Sequence, residues 1–327
     1  MLKYSPLKKR MIKKMKKYLS TLILLLAAVI WGFAFVAQKA ASSLPAFTLL
    51  LSRSAIAIVA LIPITLIFDK LSKSERKLFG SKNKVVDLTK KEIIGGIVCG
   101  VFLFAASALQ QIGITDTDAG KTSFITALYV VIVPIYALLI GKRSPLNAWI
   151  GVAIAVVGFY LLCIKDGFTI APSDLLVVLC AFVFALQIMA IDAVIADCDG
   201  IRLSLVQFAT VTVLSLICAL IFDPPFDFKV IAQLLPELIF LGIGSSGVAY
   251  TCQIIGQKNS EPAVASIILS LESVFGALFS AIVLSERMQP KEYIGCAAVL
   301  AAVIISQLDF KTIAANIKSK KSQREDA

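Results

Sequence analysis

The sequence predicts an all-α multi-pass membrane protein with ten transmembrane helices, arranged as two inverted five-helix repeats. Three observations lead to this fold class. Hydrophobic residues make up 58% of the 327 residues and charged residues only 16%, a composition outside the range of soluble globular domains. The apolar residues are gathered into long segments. A weak internal repeat with an offset of about 143 residues relates the two halves, which is typical of transporters built from two related copies.

The repeat is carried by matching residue types at matching positions. Residues 92–163 superimpose on residues 237–308, and each copy holds three apolar segments joined by short polar turns. The matched pairs are Gln110 with Gln253, Gly113 with Gly256, Ser123 with Ser266, and Arg143 with Glu286. Five spans per repeat is an odd number, so the second copy enters the membrane from the opposite side. A solute site is then expected between the copies, near the membrane midplane.

Ten apolar segments have the length of a membrane helix. A helix needs about 20 residues to cross the hydrocarbon core of a bilayer, and each segment is expected to be a helix because backbone groups in lipid must be paired. Segment 1 has the position of a signal peptide, but its apolar core is too long and no convincing cleavage site follows. Segments 1 to 10 are 20–40, 46–68, 92–115, 118–141, 145–164, 174–195, 201–222, 236–256, 262–285 and 290–309.

Basic residues predict the orientation of these segments. Residues 1–19 form a basic tail, 20–165 the first repeat, 173–309 the second repeat and 310–327 a second tail. Lys and Arg are concentrated in both tails and in the loop 69–91, so both termini are expected to be cytoplasmic. The net charge of +11 then indicates attraction to anionic lipid headgroups. No nucleic-acid partner is expected, since the chain lacks nucleic-acid-binding motifs.

The residues that the chain lacks exclude several kinds of site. It contains no His, which removes His-based acid–base chemistry, Ser–His nucleophiles and imidazole metal sites. The seven Cys are dispersed without a C-x-x-C pair and are interpreted as small packing residues, so no metal site is expected. The chain has no G-x-x-x-x-G-K-[ST] phosphate loop, which argues against an ATP-driven pump. No cofactor is expected.

Polar residues at membrane depth are the candidates for a solute cavity, because each is costly in lipid. In segment 4, the spacing of Thr126 and Tyr129 places them on one helical face. The repeat offset sets Glu272 of segment 9 at the position equivalent to Tyr129. Glu272 either belongs to the cavity wall, where it could carry a proton or cation, or is a structural group bonded to a helix end or a hydroxyl. The sequence leaves both interpretations open.

Segments 3 and 8 carry amides at matched depth, Gln110 and Gln253, together with Tyr250. They suit hydrogen bonds to a polar solute or between helices, and the sequence does not decide between the two.

Segments 1, 2 and 7 contribute three more candidates. Arg53 matches Gln207 in the repeat. Its planar, permanently charged guanidinium suits a substrate carboxylate, and the alternatives are a pair with Glu272 or a side chain that reaches the interface. Trp31 could shape the cavity or pack between helices.

Several motifs surround these candidates. They are Trp31-Gly32 followed by Lys39, Pro45 with Arg53, the run from Ala119 to Tyr129, and the run from Ser270 to Ala277 with Ser285-Glu286-Arg287 after it. With them, residues 20 to 309 resemble the drug/metabolite transporter superfamily, EamA type. The resemblance implies two five-helix domains and an inner-membrane (plasma-membrane) carrier of small metabolites, often an amino-acid exporter, without ATP or a prosthetic group. The usual Glu-Pro of segment 9 is Glu272-Ser273 here.

The sequence therefore predicts a secondary transporter, expected to be an exporter, that moves small metabolites such as amino acids by alternating access through a central cavity. Two other classes stay open: a membrane-embedded enzyme without His-based chemistry, and a non-transporting scaffold. Small-residue faces can pack within one chain or between two chains, so a homodimer is also left open. The predicted cavity residues are Trp31, Arg53, Gln110, Thr126, Tyr129, Gln207, Tyr250, Gln253 and Glu272.

Overall fold

The structure is a computed structural model that describes residues 6–70, 88–163, 171–283 and 288–308. All regular structure within these ranges is helical, so the predicted helical class is confirmed for the described part of the chain. The predictions for most of the loop 69–91, for Ser285-Glu286-Arg287 and for the C-terminal tail lie outside the described residues.

The helices follow the numbered segments. In the first repeat they are Pro6–Ala40 (segment 1), Ala46–Lys70 (segment 2), Lys90–Asp116 (segment 3), Ala119–Thr126 and Tyr129–Leu139 (segment 4), and Leu146–Cys163 (segment 5). In the second repeat they are Pro172–Val194 (segment 6), Gly200–Phe222 (segment 7), the short Phe228–Gln233, then Leu235–Ile239, the π-helical Phe240–Ala249 and Tyr250–Gln257 (segment 8), Pro262–Leu269 and Leu271–Val283 (segment 9), and Pro290–Gln307 (segment 10).

Eight of the described segments are long and apolar enough to cross a membrane, which makes the chain a multi-pass membrane protein. Segments 5 and 10 form shorter helices of 18 residues each. The exact count of ten spans therefore stays a prediction.

Segments 5 and 10 pack against each other through glycines. A Cβ added to Gly295 would lie 2.6 Å from the carbonyl oxygen of Gly158 and 2.8 Å from the backbone nitrogen of Leu162. Helices in lipid associate by this kind of close backbone approach at small residues. The two shorter helices are thus held together by contacts that leave no room for a side chain.

Replacing Gly295 with alanine should destabilise the protein by about 1–3 kcal/mol, because the nearest atoms belong to the backbone and cannot rotate away. Thermal unfolding of the protein in detergent measures the effect. Gly120→Ala is the matched control, since an added Cβ there meets nothing within 4 Å. Equal unfolding temperatures for the two variants would contradict the packing described above.

Contacts along segment 1 show how the two repeats are oriented. Lys39, at the end of segment 1, donates to the carbonyl oxygens of Ile114 and Thr115 at 2.9 Å, next to Gly113. Gly256 instead packs against Leu24 near the beginning of segment 1. Leu24 is about 22 Å from Lys39 along the helix. Gly113 and Gly256 therefore lie at opposite ends of the bundle, as expected of antiparallel copies.

We call the end of the bundle where segment 1 begins the near end, and the end marked by Lys39 the far end. At the near end, Lys17 Nζ donates to the carbonyl oxygen of Gln307 at 3.2 Å, so segment 10 ends there. The helix of segment 1 begins at Pro6, which means that the described part of the predicted N-terminal tail is continuous with the first span.

Segments 4 and 9 are each broken into two helices, and the breaks lie at equivalent positions of the repeat. One break is at Ala127 and Leu128, and the other is at Ser270. Around each break the backbone hydrogen bonds tighten to three-residue spacing, with Val130 N to Ala127 O and Ser273 N to Ser270 O. Segment 9 breaks without the proline that the family usually has there, and segment 4 breaks without one as well.

Apolar side chains divide between the centre of the bundle and its outer surface. The largest buried cluster brings together residues of both repeats, such as Leu24, Val130 and Leu269. On the outside, Leu139 is 76% exposed and Ile282 is 74% exposed, as suits side chains that face lipid. The polar residues near the middle of the bundle therefore lie within a mainly apolar protein interior.

Candidate solute-binding cavity

A cavity of about 30 Å³ lies in the middle of the bundle, with walls from both repeats. Eight of the nine predicted residues line it: Trp31, Arg53, Gln110, Thr126, Tyr129, Tyr250, Gln253 and Glu272. The volume is room for about two water molecules. The described conformation is thus closed around this space, and a larger solute requires the walls to separate.

The remaining walls were not found by sequence reasoning. They are formed by Ala34, Phe35, Gln38, Phe184, Ile188, Ser245 and Leu269. The apolar residues of this wall could not be identified from the sequence, because apolar residues within membrane spans are typical of ordinary packing. Gln38 and Ser245 could have been identified as candidates, since each is a polar residue within a predicted span.

Arg53 is 6% exposed and is held by neutral groups. Its guanidinium donates to Ser245 Oγ at 2.8 Å, to Ser246 Oγ at 2.9 Å and to Gln38 Oε1 at 3.3 Å. The pair with Glu272 that the sequence allowed is not formed in the described conformation, because these acceptors occupy the guanidinium instead. Among the described residues, Arg53 forms no ion pair. A guanidinium that forms no ion pair with any described residue therefore faces the cavity, whose lining also includes the carboxyl group of Glu272.

The partners of Arg53 come from a π-helical stretch, Phe240–Ala249, in the middle of segment 8. Ser245 and Ser246 both lie in it, and the carbonyl oxygen of Ser245 accepts a hydrogen bond from Trp31 Nε1 at 3.2 Å. The wider turn of a π-helix displaces carbonyls from their usual partners, and such stretches are frequent at functional sites. The distortion thus presents groups of one helix to Arg53 and Trp31 at the same time.

Trp31 also contacts the aromatic ring of Tyr250, with 4.6 Å between ring centroids. Together with its hydrogen bond to segment 8, this contact fixes the Trp31 ring against the cavity.

Tyr129 and Glu272 lie where the broken segments resume. Tyr129 is the first residue of the helix Tyr129–Leu139, and Glu272 is in the first turn of Leu271–Val283. A helix N-terminus favours a nearby negative charge, which makes this a suitable position for a carboxylate. Tyr129 Oη and Glu272 Oε1 are buried, and within the described residues neither has a hydrogen-bond partner of good geometry. The two side chains nevertheless lie within interaction distance of each other, so a bound solute or ion would meet them as a pair.

The two broken helices touch each other directly. Ser273 Oγ donates to the carbonyl oxygen of Ser123 at 2.8 Å, and this bond joins segment 9 to segment 4. Gly32 packs so closely on segment 9 that an added Cβ would lie 2.8 Å from the backbone nitrogen of Gly276. Ser273 therefore links the two repeats.

Gln207 is the predicted residue that does not line the cavity. It is fully buried, and its Oε1 accepts a hydrogen bond from Gln187 at 3.4 Å. Gln187 in turn forms a reciprocal pair with Gln253, at 3.1 and 3.4 Å. Gln207 thus lies behind the cavity wall and connects segment 7 to the amides of segments 6 and 8. The repeat offset matched Gln207 to Arg53 in sequence, but Arg53 lines the cavity and Gln207 does not.

Gln187 was missed by sequence reasoning, although it is an amide in the middle of an apolar span. Gln110, the repeat counterpart of Gln253, takes a different partner and donates to Thr126 Oγ1 at 3.1 Å. The two repeats therefore present matched amides with unmatched hydrogen bonds.

Comparison with known proteins decides the family. The family model described as the EamA-like transporter family matches residues 19–164 and 171–307, which covers both repeats. The chain belongs to the EamA-like transporter family. Resemblance of the motifs around Arg53 and Glu272 to this family is thereby confirmed.

Two similar proteins add to this assignment. An uncharacterized transporter of Archaeoglobus fulgidus (strain ATCC 49558) is 32% identical over 217 residues, which are 65% of this chain and 68% of that protein. A protein of known crystal structure superposes with a TM-score of 0.69 at 18% identity, over 88% of this chain and 96% of that chain. At this identity, the second likeness shows the fold alone.

In this EamA-like transporter, ion pairs lie at both ends of one pair of helices beside the cavity. At the far end, Lys121 Nζ of segment 4 is 2.5 Å from Asp174 Oδ2 of segment 6. At the near end, Lys142 just after segment 4 pairs with Asp192 of segment 6. Segments 4 and 6 belong to different repeats and run parallel. The two ion pairs thus join the repeats above and below the cavity.

No group of three metal-binding side chains comes together within the described part of this EamA-like transporter. The lining of the cavity instead offers one guanidinium, one carboxyl, amides and hydroxyls. This set of groups is suited to hydrogen bonding with a polar organic solute.

Proposed function

We propose that this EamA-like transporter is a secondary transporter that exports small metabolites such as amino acids, by alternating access through the central cavity. One observation supports the proposal more than any other. The Arg53 guanidinium is buried at membrane depth with hydroxyl and amide partners only. An isolated buried charge is costly, and a solute carboxylate would supply the missing counter-charge.

The other walls suit the rest of an amino acid. Glu272 lines the same cavity as Arg53 and lies beside the hydroxyl of Tyr129, so its carboxyl group could receive the ammonium group of a zwitterion or carry a proton in its place. Phe35, Phe184 and Leu269 form an apolar part of the lining, which would accommodate an apolar side chain. The solute would thus be oriented between a positive and a negative group.

Alternating access would follow from the packing of the repeats. The cavity is closed in the described conformation, and ion pairs between segments 4 and 6 lie at both of its ends. Rocking of one repeat against the other would separate one pair while the other stays closed, as in transporters with inverted copies. The basic residues at the near end favour a cytoplasmic position for that end.

Transport by purified protein tests the proposal. Proteoliposomes loaded with each of the twenty proteinogenic L-amino acids should exchange at least one of them with labelled external amino acid at a rate well above that of empty liposomes. Chemical turnover of lipid or peptide by the same preparation, with no exchange of any solute, would favour the membrane-embedded enzyme instead.

A further inference from the structure

A second cavity opens at the near end of the bundle, outside the central one. Its volume is about 540 Å³, far larger than the central space. The ends of segments 4, 6 and 8 and the beginning of segment 9 surround it, and we call it the vestibule. Its charged lining residues are Lys142, Arg143, Asp192, Lys258 and Glu261. Groups of both signs thus face one open space.

A thin layer separates the vestibule from the central cavity. Gln257 lines the vestibule and donates its Nε2 to the carbonyl oxygen of Ile188 at 3.0 Å. Ile188 lines the central cavity. Gln257 is 2% exposed, and its Oε1 has no hydrogen-bond partner within the described residues. The floor of the vestibule therefore contains a buried acceptor that a ligand ammonium group could use.

The Lys142–Asp192 ion pair forms one wall of the vestibule and joins the two repeats. The Lys142 side chain is 49% exposed and that of Asp192 is 15% exposed. Opening of the near end requires the pair to separate. Separation would leave Asp192, the more buried of the two charges, without its counter-charge unless another cation takes the place of Lys142.

We propose that the vestibule is a second binding site, at which a zwitterionic amino acid replaces the Lys142–Asp192 ion pair with its own two charges. The carboxylate of the amino acid binds Lys142, with the exposed Arg143 beside it. The ammonium group donates to Asp192 and to Gln257 Oε1. After the exchange both Lys142 and Asp192 again face an opposite charge, so separating the two repeats at this end costs little when the solute is present. This inference rests on the proposed function, because it takes the transported solute to be an amino acid.

The same geometry sets the selectivity of the site. A solute with a carboxylate alone would leave Asp192 without a partner, and an amine alone would leave Lys142 without one. Both outcomes are unfavourable for partly buried charges. The vestibule should therefore select zwitterions before they reach Arg53.

Equilibrium binding to the full-length Arg53→Ala protein tests the inference, since this variant removes the proposed central anion site. Each of the twenty proteinogenic L-amino acids is titrated by isothermal calorimetry into protein in detergent. At least one should bind saturably. On the same background, Lys142→Gln or Asp192→Asn should weaken its binding by about tenfold or more, the scale of one lost charge-assisted contact.

Three controls separate recognition from folding. The charge exchange K142D/D192K keeps both charges and should bind within about threefold of the parent. Lys229→Gln removes an exposed charge on the helix Phe228–Gln233, away from the vestibule, and should have no effect. The amide of the bound amino acid, and the matching carboxylic acid without its amino group, should each bind at least about tenfold more weakly.

The native chain provides an independent measurement. Equilibrium dialysis with the same amino acid should give two molecules bound per native chain and one per Lys142→Gln chain. The inference is overturned if no amino acid binds to the Arg53→Ala protein, or if neutralising Lys142 and Asp192 changes nothing. It is also overturned if the charge exchange weakens binding as much as the single substitutions do. Loss of transport in Arg53→Ala with an inert vestibule would leave the proposed function standing.

Discussion

Replacing Arg53 by alanine should reduce transport in proteoliposomes by about 100-fold or more, while the protein keeps its stability. Removing one partner of a desolvated charge pair costs about 2–5 kcal/mol of binding, and in the proposed complex the other partner is the solute carboxylate. The partners of Arg53 within the chain are hydroxyls and an amide. Its removal therefore leaves no buried charge unpaired in the solute-free protein, and the unfavourable burial of the guanidinium itself is relieved.

The comparison of transport with thermal unfolding distinguishes this role from a structural one. If Arg53 only stabilised the fold, the Arg53→Ala protein would lose thermal stability together with transport. Arg53→Lys is the matched variant, because it keeps the positive charge but lacks the planar fork, and it should retain part of the transport. Normal transport by Arg53→Ala would remove this residue from the mechanism.

Replacing Glu272 by glutamine should abolish net transport driven by a pH gradient. Glutamine has nearly the same shape as glutamate but cannot take up or release a proton. Glu272 is 4% exposed, lies at the start of the second half of segment 9 and faces the cavity. If its carboxyl group carries the coupled proton, exchange of solute in Glu272→Gln proteoliposomes should also become insensitive to pH between about 5 and 8. Measurement of uptake with and without an imposed gradient gives both results.

Glu292→Gln is the matched control for this experiment. Glu292 is also buried, but it caps the helix of segment 10 through Gln289 N, and glutamine can take over that capping bond. This variant should transport as the native protein does. Gradient-driven transport of native magnitude by Glu272→Gln would exclude the residue as the proton carrier.

The fold could be predicted from the sequence because membrane helices depend on local composition. Segment lengths and the absence of charge within spans follow from the cost of polar groups in lipid. The repeat offset then placed Tyr129 and Glu272 at equivalent positions. The structure has a break in both helices next to these residues, and Ser273, rather than proline, follows the break in segment 9. No pattern in the sequence indicated a break there, because neither position carries a proline or a glycine.

Details of the cavity were harder to predict. Gln207 and Gln253 have similar sequence signals, yet Gln253 lines the cavity and Gln207 lies behind it. The difference depends on how segments 6, 7 and 8 rotate about their axes when they pack. The π-helical stretch of segment 8 likewise depends on packing, because Gly242 lies directly against Ile56 and the carbonyl oxygen of Arg53.

The sequence by itself determined that this chain is a helical membrane protein built from two related halves, and which polar residues lie at membrane depth. It could do so because the bilayer penalises each exposed polar group separately, so that composition along the chain carries the information. Only the tertiary structure decided that Arg53 takes neutral partners instead of Glu272, and that Lys142 and Asp192 close the near end. These contacts join residues 15 to 193 positions apart, and they depend on helix rotation and depth, which local composition does not encode.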